Sequence, residues 1–182
     1  MIIASQLRKE NIAQYLLYMW QIEDIIRANN LDIDKLHENI IARFPAEKQR
    51  EIGEWYESLI DMMRREGVEF KGHLQMNKNT VGLLADLNRR ILADPDSKFD
   101  QYRNEFYATL PFIVELRAKS GQDKAGEIET CFNALYGMLM LRLQKKDIGP
   151  ETQQAFDRIS KFIGLLSQNF ILDERDELFK KD

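Results

Sequence analysis

From about Ser5 onward, large apolar residues return every third or fourth position, the spacing of one face of an α-helix rather than the alternation of a strand. Ile12, Leu16, Met19, Glu23 and Ile26 fall on one stripe of a first predicted helix, from about Ser5 to Asn29. Tyr15, Ile22 and Ile25 widen that stripe, with Trp20 beside it. An apolar face wider than one intramolecular neighbour covers marks a partner surface, so self-association through this helix is expected. Asp32 then caps a short helix carrying Ile33, Leu36, Ile40 and Ile41. A third helix follows Pro45, turns Ile52, Trp55, Tyr56, Leu59, Ile60 and Met63 inward, and stops at Gly67.

The stretch 68–76 admits two readings. Val68, Phe70, Leu74 and Met76 alternate with polar residues around Lys71-Gly72, as a hairpin would. Leu74, Val81, Leu84, Leu87 and Ile91 instead fit a helical stripe, and an isolated hairpin is marginal in water. A helix from about His73 to Ala93 is therefore favoured. A fifth helix opens at Asp94-Pro95 with Phe99, Tyr102, Phe106, Leu110, Ile113 and Leu116 at a period near 3.6, and Pro111 inside it predicts a kink or a short break. A sixth, over about 123–146, is apolar in nearly every direction between Cys131 and Leu143. A helix apolar all round must be covered all round, which puts it at the centre, with the first, third, fifth and seventh helices packed about it. The seventh follows Pro150, with Phe156, Ile159, Ile163, Leu166 and Phe170 inward.

Punctuation supports these boundaries. Pro45, Pro95 and Pro150 stand where helical patterns begin, and Gly67, Gly121 and Gly149 where patterns end, the place for left-handed caps. The fold class is all-α: an irregular bundle of about six to seven helices around a central hydrophobic helix at about 123–146. One domain spans 1–182, with a solvated, mobile charged tail from about 173.

Composition narrows the function more by exclusion than by assignment. At 182 residues, 44% hydrophobic and 31% charged, the chain needs neither metal nor disulfide to fold. A net charge of -4 argues against nucleic acid. The basic pairs Arg64-Arg65, Arg89-Arg90 and Lys145-Lys146 sit among acids and read as solvated faces. A single cysteine, Cys131, cannot form an internal disulfide and lies in an apolar run, as a small buried hydrophobe rather than a nucleophile. No apolar run is long enough to span a membrane, and Met1 to Glu10 lacks the basic-then-apolar pattern of a leader. A cytoplasmic protein is expected.

No catalytic or cofactor constellation stands out. A carboxylate-bridged di-metal bundle needs Glu-x-x-His on two helices, whereas His37 follows Asp34 by three and His73 follows Glu69 by four. His37 reads as a surface residue and His73 as a turn or helix-start residue. One cysteine excludes thiolate zinc, the scattered glycines make no phosphate loop, and Lys119-Ser120-Gly121 is a helix end rather than a nucleophile elbow. Glu23 and Asp24 are adjacent on a helix and so do not face each other. The aromatic group Tyr15, Tyr18, Trp20, Trp55 and Tyr56 fits core better than a pocket, although buried Tyr and Trp need polar partners and make it the place to look for a pocket edge.

Two segments carry a family likeness: Arg8-Lys9-Glu10-Asn11-Ile12-Ala13 running on through Tyr15-Leu16-Leu17-Tyr18-Met19-Trp20-Gln21, and Lys71-Gly72-His73-Leu74-Gln75. They resemble an uncharacterised bacterial all-helical family classed as a domain of unknown function. That resemblance implies a helical fold and no established activity, and it transfers no catalytic, cofactor-binding or metal residue. The expected function is a non-enzymatic helical module acting on a protein partner or on a second copy of itself. The alternative is a small-ligand binder or enzyme with its site at the Pro111 kink or among the five aromatics.

Overall fold

A computed structural model describes residues 2–121 and 124–180. Among these every regular element is a helix, with no strand: α1 (Ile2–Glu10), α2 (Ile12–Ala28), α3 (Ile33–Asn39), α4 (Ala46–Glu66), α5 (Gln75–Ala93), α6 (Asp100–Ser120), α7 (Glu127–Leu143) and α8 (Pro150–Glu174), with 3₁₀ turns at Ile41–Arg43 and Ser97–Phe99. The helical period therefore predicts the fold class correctly. The 68–76 stretch is not a hairpin: residues 68–74 form an irregular connection and α5 begins at Gln75, two residues after the start predicted at about His73, and ends at Ala93 as predicted.

Two compact units divide the chain: residues 1–9 with 14–79, and residues 10–13 with 80–182. In the first, the helix ends follow from identifiable caps. Asp32 accepts from the amides of Asp34 and Lys35, at 3.0 and 3.3 Å. At the end of α4, Gly67 takes φ 67° and the Val68 amide donates to the Met63 carbonyl at 3.0 Å, a Schellman closure that also buries Val68 near Met63. The core of this unit comes from α2 (Leu16, Met19, Ile22, Ile26), Leu36, and α4 (Ile52, Tyr56, Leu59, Ile60, Met63), all buried.

In the second unit α6, α7 and α8 pack on one another, with α6 against α8 the most extensive pairing. Phe106 and Tyr102 meet Phe162 with ring centroids 5.5 Å apart, and Ile113, Ile159, Ile163 and Leu166 complete the seam. The Asn88 side chain accepts from the Tyr102 hydroxyl at 2.7 Å, so that buried ring keeps a polar partner.

Five boundaries differ from the sequence reading. The first predicted helix is two, split at Asn11, whose side chain accepts from the Ala13 amide (3.1 Å) and from the Ser167 hydroxyl (3.0 Å). Asn11 thus acts as the N-cap of α2, which propensity at one position does not reveal. Pro95 lies in a loop, and Asp100 opens α6 after the 3₁₀ turn. Helix α6 is unbroken through Pro111. The ring removes only the amide that would serve the Tyr107 carbonyl, and Tyr107 is exposed, so water can satisfy it. Gly149 is the N-cap of α8 with φ -65°, not a left-handed cap, whereas Gly67 and Gly121 are left-handed. The start proposed for the sixth helix at Asp123 lies outside the described residues, and α7 spans Glu127–Leu143, ending with Lys145 in a left-handed conformation at φ 54°.

Two larger expectations need correction. Helix α7 is not a fully covered central helix. Ile128, Thr130, Cys131, Phe132 and Met138 are buried, but Leu135 and Leu139 are half-buried and Leu143 is 62% exposed. The buried axis of this unit is the α6–α8 seam instead. Nor is the chain from about 173 solvated along its whole length: residues 174–177 are exposed, but those on either side are held. Asp173 makes a forked ion pair with Arg90, Leu178 is buried, and Phe179 packs on Phe99 at 5.5 Å and beneath the Arg90 guanidinium at 5.1 Å.

Candidate functional site

The most organised polar cluster is built where the connection 68–74 meets α2. Glu23 sits on the apolar stripe of α2 and is 1% exposed. A buried carboxylate is costly unless its oxygens are satisfied, and here three donors reach it. Oε1 accepts from the Leu74 amide at 2.9 Å and from Asn77 Nδ2 at 2.6 Å, and Oε2 lies 2.6 Å from His73 Nδ1. As a carboxylate Glu23 only accepts, so Nδ1 is the donor in this contact. The ring is fixed a second way, stacked on Trp20 with centroids 4.0 Å apart and planes 14° from parallel.

The connection is tied down on both sides. Arg27 Nη2 donates to the Val68 carbonyl at 3.1 Å and also to Gly72, which takes φ 84° in the left-handed region. Glu66 accepts from the Gln75 amide at 2.6 Å. Glu23 and Glu66 together place two negative charges at the first turn of α5, where free amides and the helix dipole favour them. Chemically the arrangement holds an imidazole with one nitrogen committed and the other free. No serine, threonine or cysteine side chain hydrogen-bonds to His73 among the described residues. The described residues also hold no group of three His, Cys, Asp or Glu able to bind a metal. The cluster therefore reads as a positioning device for the loop and the start of α5.

The sequence-singled aromatics do not form one site. Tyr15, Trp20 and Tyr56 are buried, while Tyr18 and Trp55 are half-buried. Burial raises the Tyr15 and Tyr18 hydroxyls above the usual phenol range, and burial plus the nearby Tyr18 raises Tyr56 to about 12. Trp55 stands edge-on to Tyr56 at 5.1 Å. Trp20 belongs to the His73 cluster. Tyr15 and Trp55 instead border a groove of about 200 Å³ between α1, α2 and α4. Pro111 is exposed on α6 between the exposed Tyr107 and Val114. Its neighbour Phe112 lines a separate cleft of about 330 Å³, whose Lys119 is held by Glu115 at 2.5 Å. His37 is exposed, and Cys131 is fully buried, which pushes its thiol well above the usual range.

The residues that sequence reasoning missed are Glu23 as a ligating group, Arg27 and Asn77. A signal did exist. Glu23 is the one charged member of the stripe Ile12, Leu16, Met19, Ile26, and a carboxylate at a core position must have partners somewhere. The two segments that carry the family likeness are also the two that meet here, through Trp20 and His73.

A family model described as Domain of unknown function (DUF4924) matches residues 1–177. The chain belongs to this family. Neither a curated protein nor a solved structure matches it, so DUF4924 membership brings a shared domain and no activity. Among the described residues no helix is long and apolar enough to cross a membrane.

Proposed function

We propose that this DUF4924 chain is a non-enzymatic helical module that works by pairing with a second copy of itself through α7. The observation carrying this reading is the incompletely covered second half of that helix, where Leu139, Met140 and Leu141 are half-buried and Leu143 is exposed. After Met138 none of its residues is buried, although four of the five from Leu139 to Leu143 are apolar. Helix α2, the first candidate on sequence grounds, supports the reading less, because its wide stripe is buried within the chain.

The second copy is favoured over an unrelated partner by the charge order along α7. Glu127 and Glu129 stand in its first turn, Arg142 in its last, and Lys145-Lys146 just beyond. Two such helices related by a two-fold axis perpendicular to them run antiparallel, and the interface is self-complementary. With the crossing at Gly137, Lys145 of one copy is level with Glu129 of the other. Gly137 is exposed, and a Cβ built there meets nothing, so backbones can approach closely beside Ala134 and Leu141. A cytoplasmic setting in a bacterium belongs to the same proposal, supported by the single cysteine and the family resemblance.

Sedimentation velocity from 1 to 100 μM (on the order of ordinary assay concentrations) tests it. The expected result is a mass twice 21.5 kDa that Leu141→Glu returns to the monomer. Lys145→Glu with Lys146→Glu should weaken the dimer, and adding Glu127→Lys with Glu129→Lys should restore it. A monomer across the range sinks the proposal.

A further inference from the structure

The groove between α1, α2 and α4 has a chemistry that the pairing of α7 does not use. It is lined by the buried Met19 and Leu59, the half-buried Met62 and the exposed Met76, with Trp55 as one wall. Thioether side chains are adaptable and pack against varied apolar shapes. At about 200 Å³ the groove is smaller than the roughly 300–1,000 Å³ of sites for drug-sized molecules, so its occupant is a short chain or a single ring.

One charge stands at the mouth. The Arg8 guanidinium lies over the Tyr15 ring, 5.6 Å from its centroid. Arg8 forms no ion pair among the described residues, although most arginines of this chain do. Tyr15 is buried, so the guanidinium is oriented by an immobile ring rather than by another flexible side chain. A cation held above an apolar groove, with no acid assigned to it, is complementary to an amphiphile with an anionic head. A single planar guanidinium presents two parallel N–H donors, which match the two oxygens of a carboxylate. A phosphate head would call for further cations, and no other Lys or Arg lines the groove.

We infer that this groove binds a small monocarboxylate with an apolar tail, the head paired with Arg8 and the tail among the methionines. The inference is independent of self-association, since every lining residue belongs to the first unit.

Titration of the full chain with octanoate tests it, read by calorimetry and by tryptophan fluorescence. The only two tryptophans are Trp20 and Trp55, and Trp55 touches the groove. The expected result is saturable binding of octanoate, weaker binding of octanol and none of octylammonium. Arg8→Met should lower octanoate affinity about tenfold or more and leave octanol unchanged, and this exposed substitution should leave the thermal melt in place. Ser58→Phe, which fills the groove from α4, should abolish both. The inference is overturned by failure of octanoate to bind, by equal binding of octylammonium, by tighter binding of octyl phosphate, or by an Arg8→Met variant that binds octanoate like the parent.

Discussion

Glu23 and His73 stand 50 residues apart in the chain, and their side chains meet at 2.6 Å, the imidazole already held flat against Trp20. The carboxylate is deeper than the imidazole, 1% against 29% exposed. The pair therefore works from the inside outward: the acid fixes the ring, and the ring fixes the connection that leads into α5.

That order of dependence separates two substitutions at Glu23. In Glu23→Gln the amide oxygen can still accept from the Leu74 amide and from Asn77, while its NH₂ donates to His73 in the other tautomer. The loss should be about 1 kcal/mol. Glu23→Ala strands two buried donors and opens a cavity, so it should cost on the order of 3–5 kcal/mol. Urea unfolding of the two variants checks this. Equal losses would mean that the charge, rather than the hydrogen-bond geometry, holds the cluster.

The end of the chain should behave as core. Truncation after Glu174 removes Leu178, which is 6% exposed, and the Phe179 contacts to Phe99 and Arg90. At about 1.5–3 kcal/mol for a buried large apolar side chain, the truncated protein should melt several degrees lower. An unchanged melting temperature would restore the solvated tail read from the charge run at 173–177.

The helices were legible because the 3.6-residue apolar period is local, and so were the Asp32 and Gly67 caps, whose residue types are themselves the signal. What stayed hidden depends on distant partners. Asn11 breaks a helix that its neighbours would continue, because its oxygen also accepts from Ser167. The charge run at 173–177 is solvated over residues 174–177, but nothing local shows that Asp173 pairs with Arg90. Glu23 was visible as a misfit on an apolar stripe, yet the donors that explain it come from residues 73–77. The Arg8 and Tyr15 pairing was equally out of reach, because seven residues across a helix break carry no fixed periodicity.

Cys131 should be inert in the native protein and should make stability fall in mild alkali. Burial, chiefly, holds its thiol protonated in the folded state, while in the unfolded chain it ionises near about pH 8.5. Above that value the folded state binds the extra proton, so stability declines as pH rises, by at most about 1.4 kcal/mol per unit from this group. The buried tyrosines add to the decline only from about pH 10. Cys131→Ala should flatten the stability profile between those limits, and a thiol reagent at pH 8 should label the parent only after denaturant is added. Fast native labelling would place the thiol at the surface.

Helix α7 gives the sharpest contrast within one element. Its first half supports the second unit through Ile128, Cys131 and Phe132, each at most 2% exposed, and its second half leaves Leu143 largely in water. If burial governs stability, Phe132→Ala should cost about 3–5 kcal/mol, the range for a large aromatic removed from a packed core. Leu143→Asp should change the stability of the monomer by no more than about 0.5 kcal/mol, because a charge placed in solvent strands nothing. Leu139→Asp, half-buried one turn earlier, should fall between them. Urea unfolding at low protein concentration keeps association out of the measurement. If Leu143→Asp proves as damaging as Phe132→Ala, the second half of α7 is covered within the chain after all, and the surface offered to a second copy disappears with it.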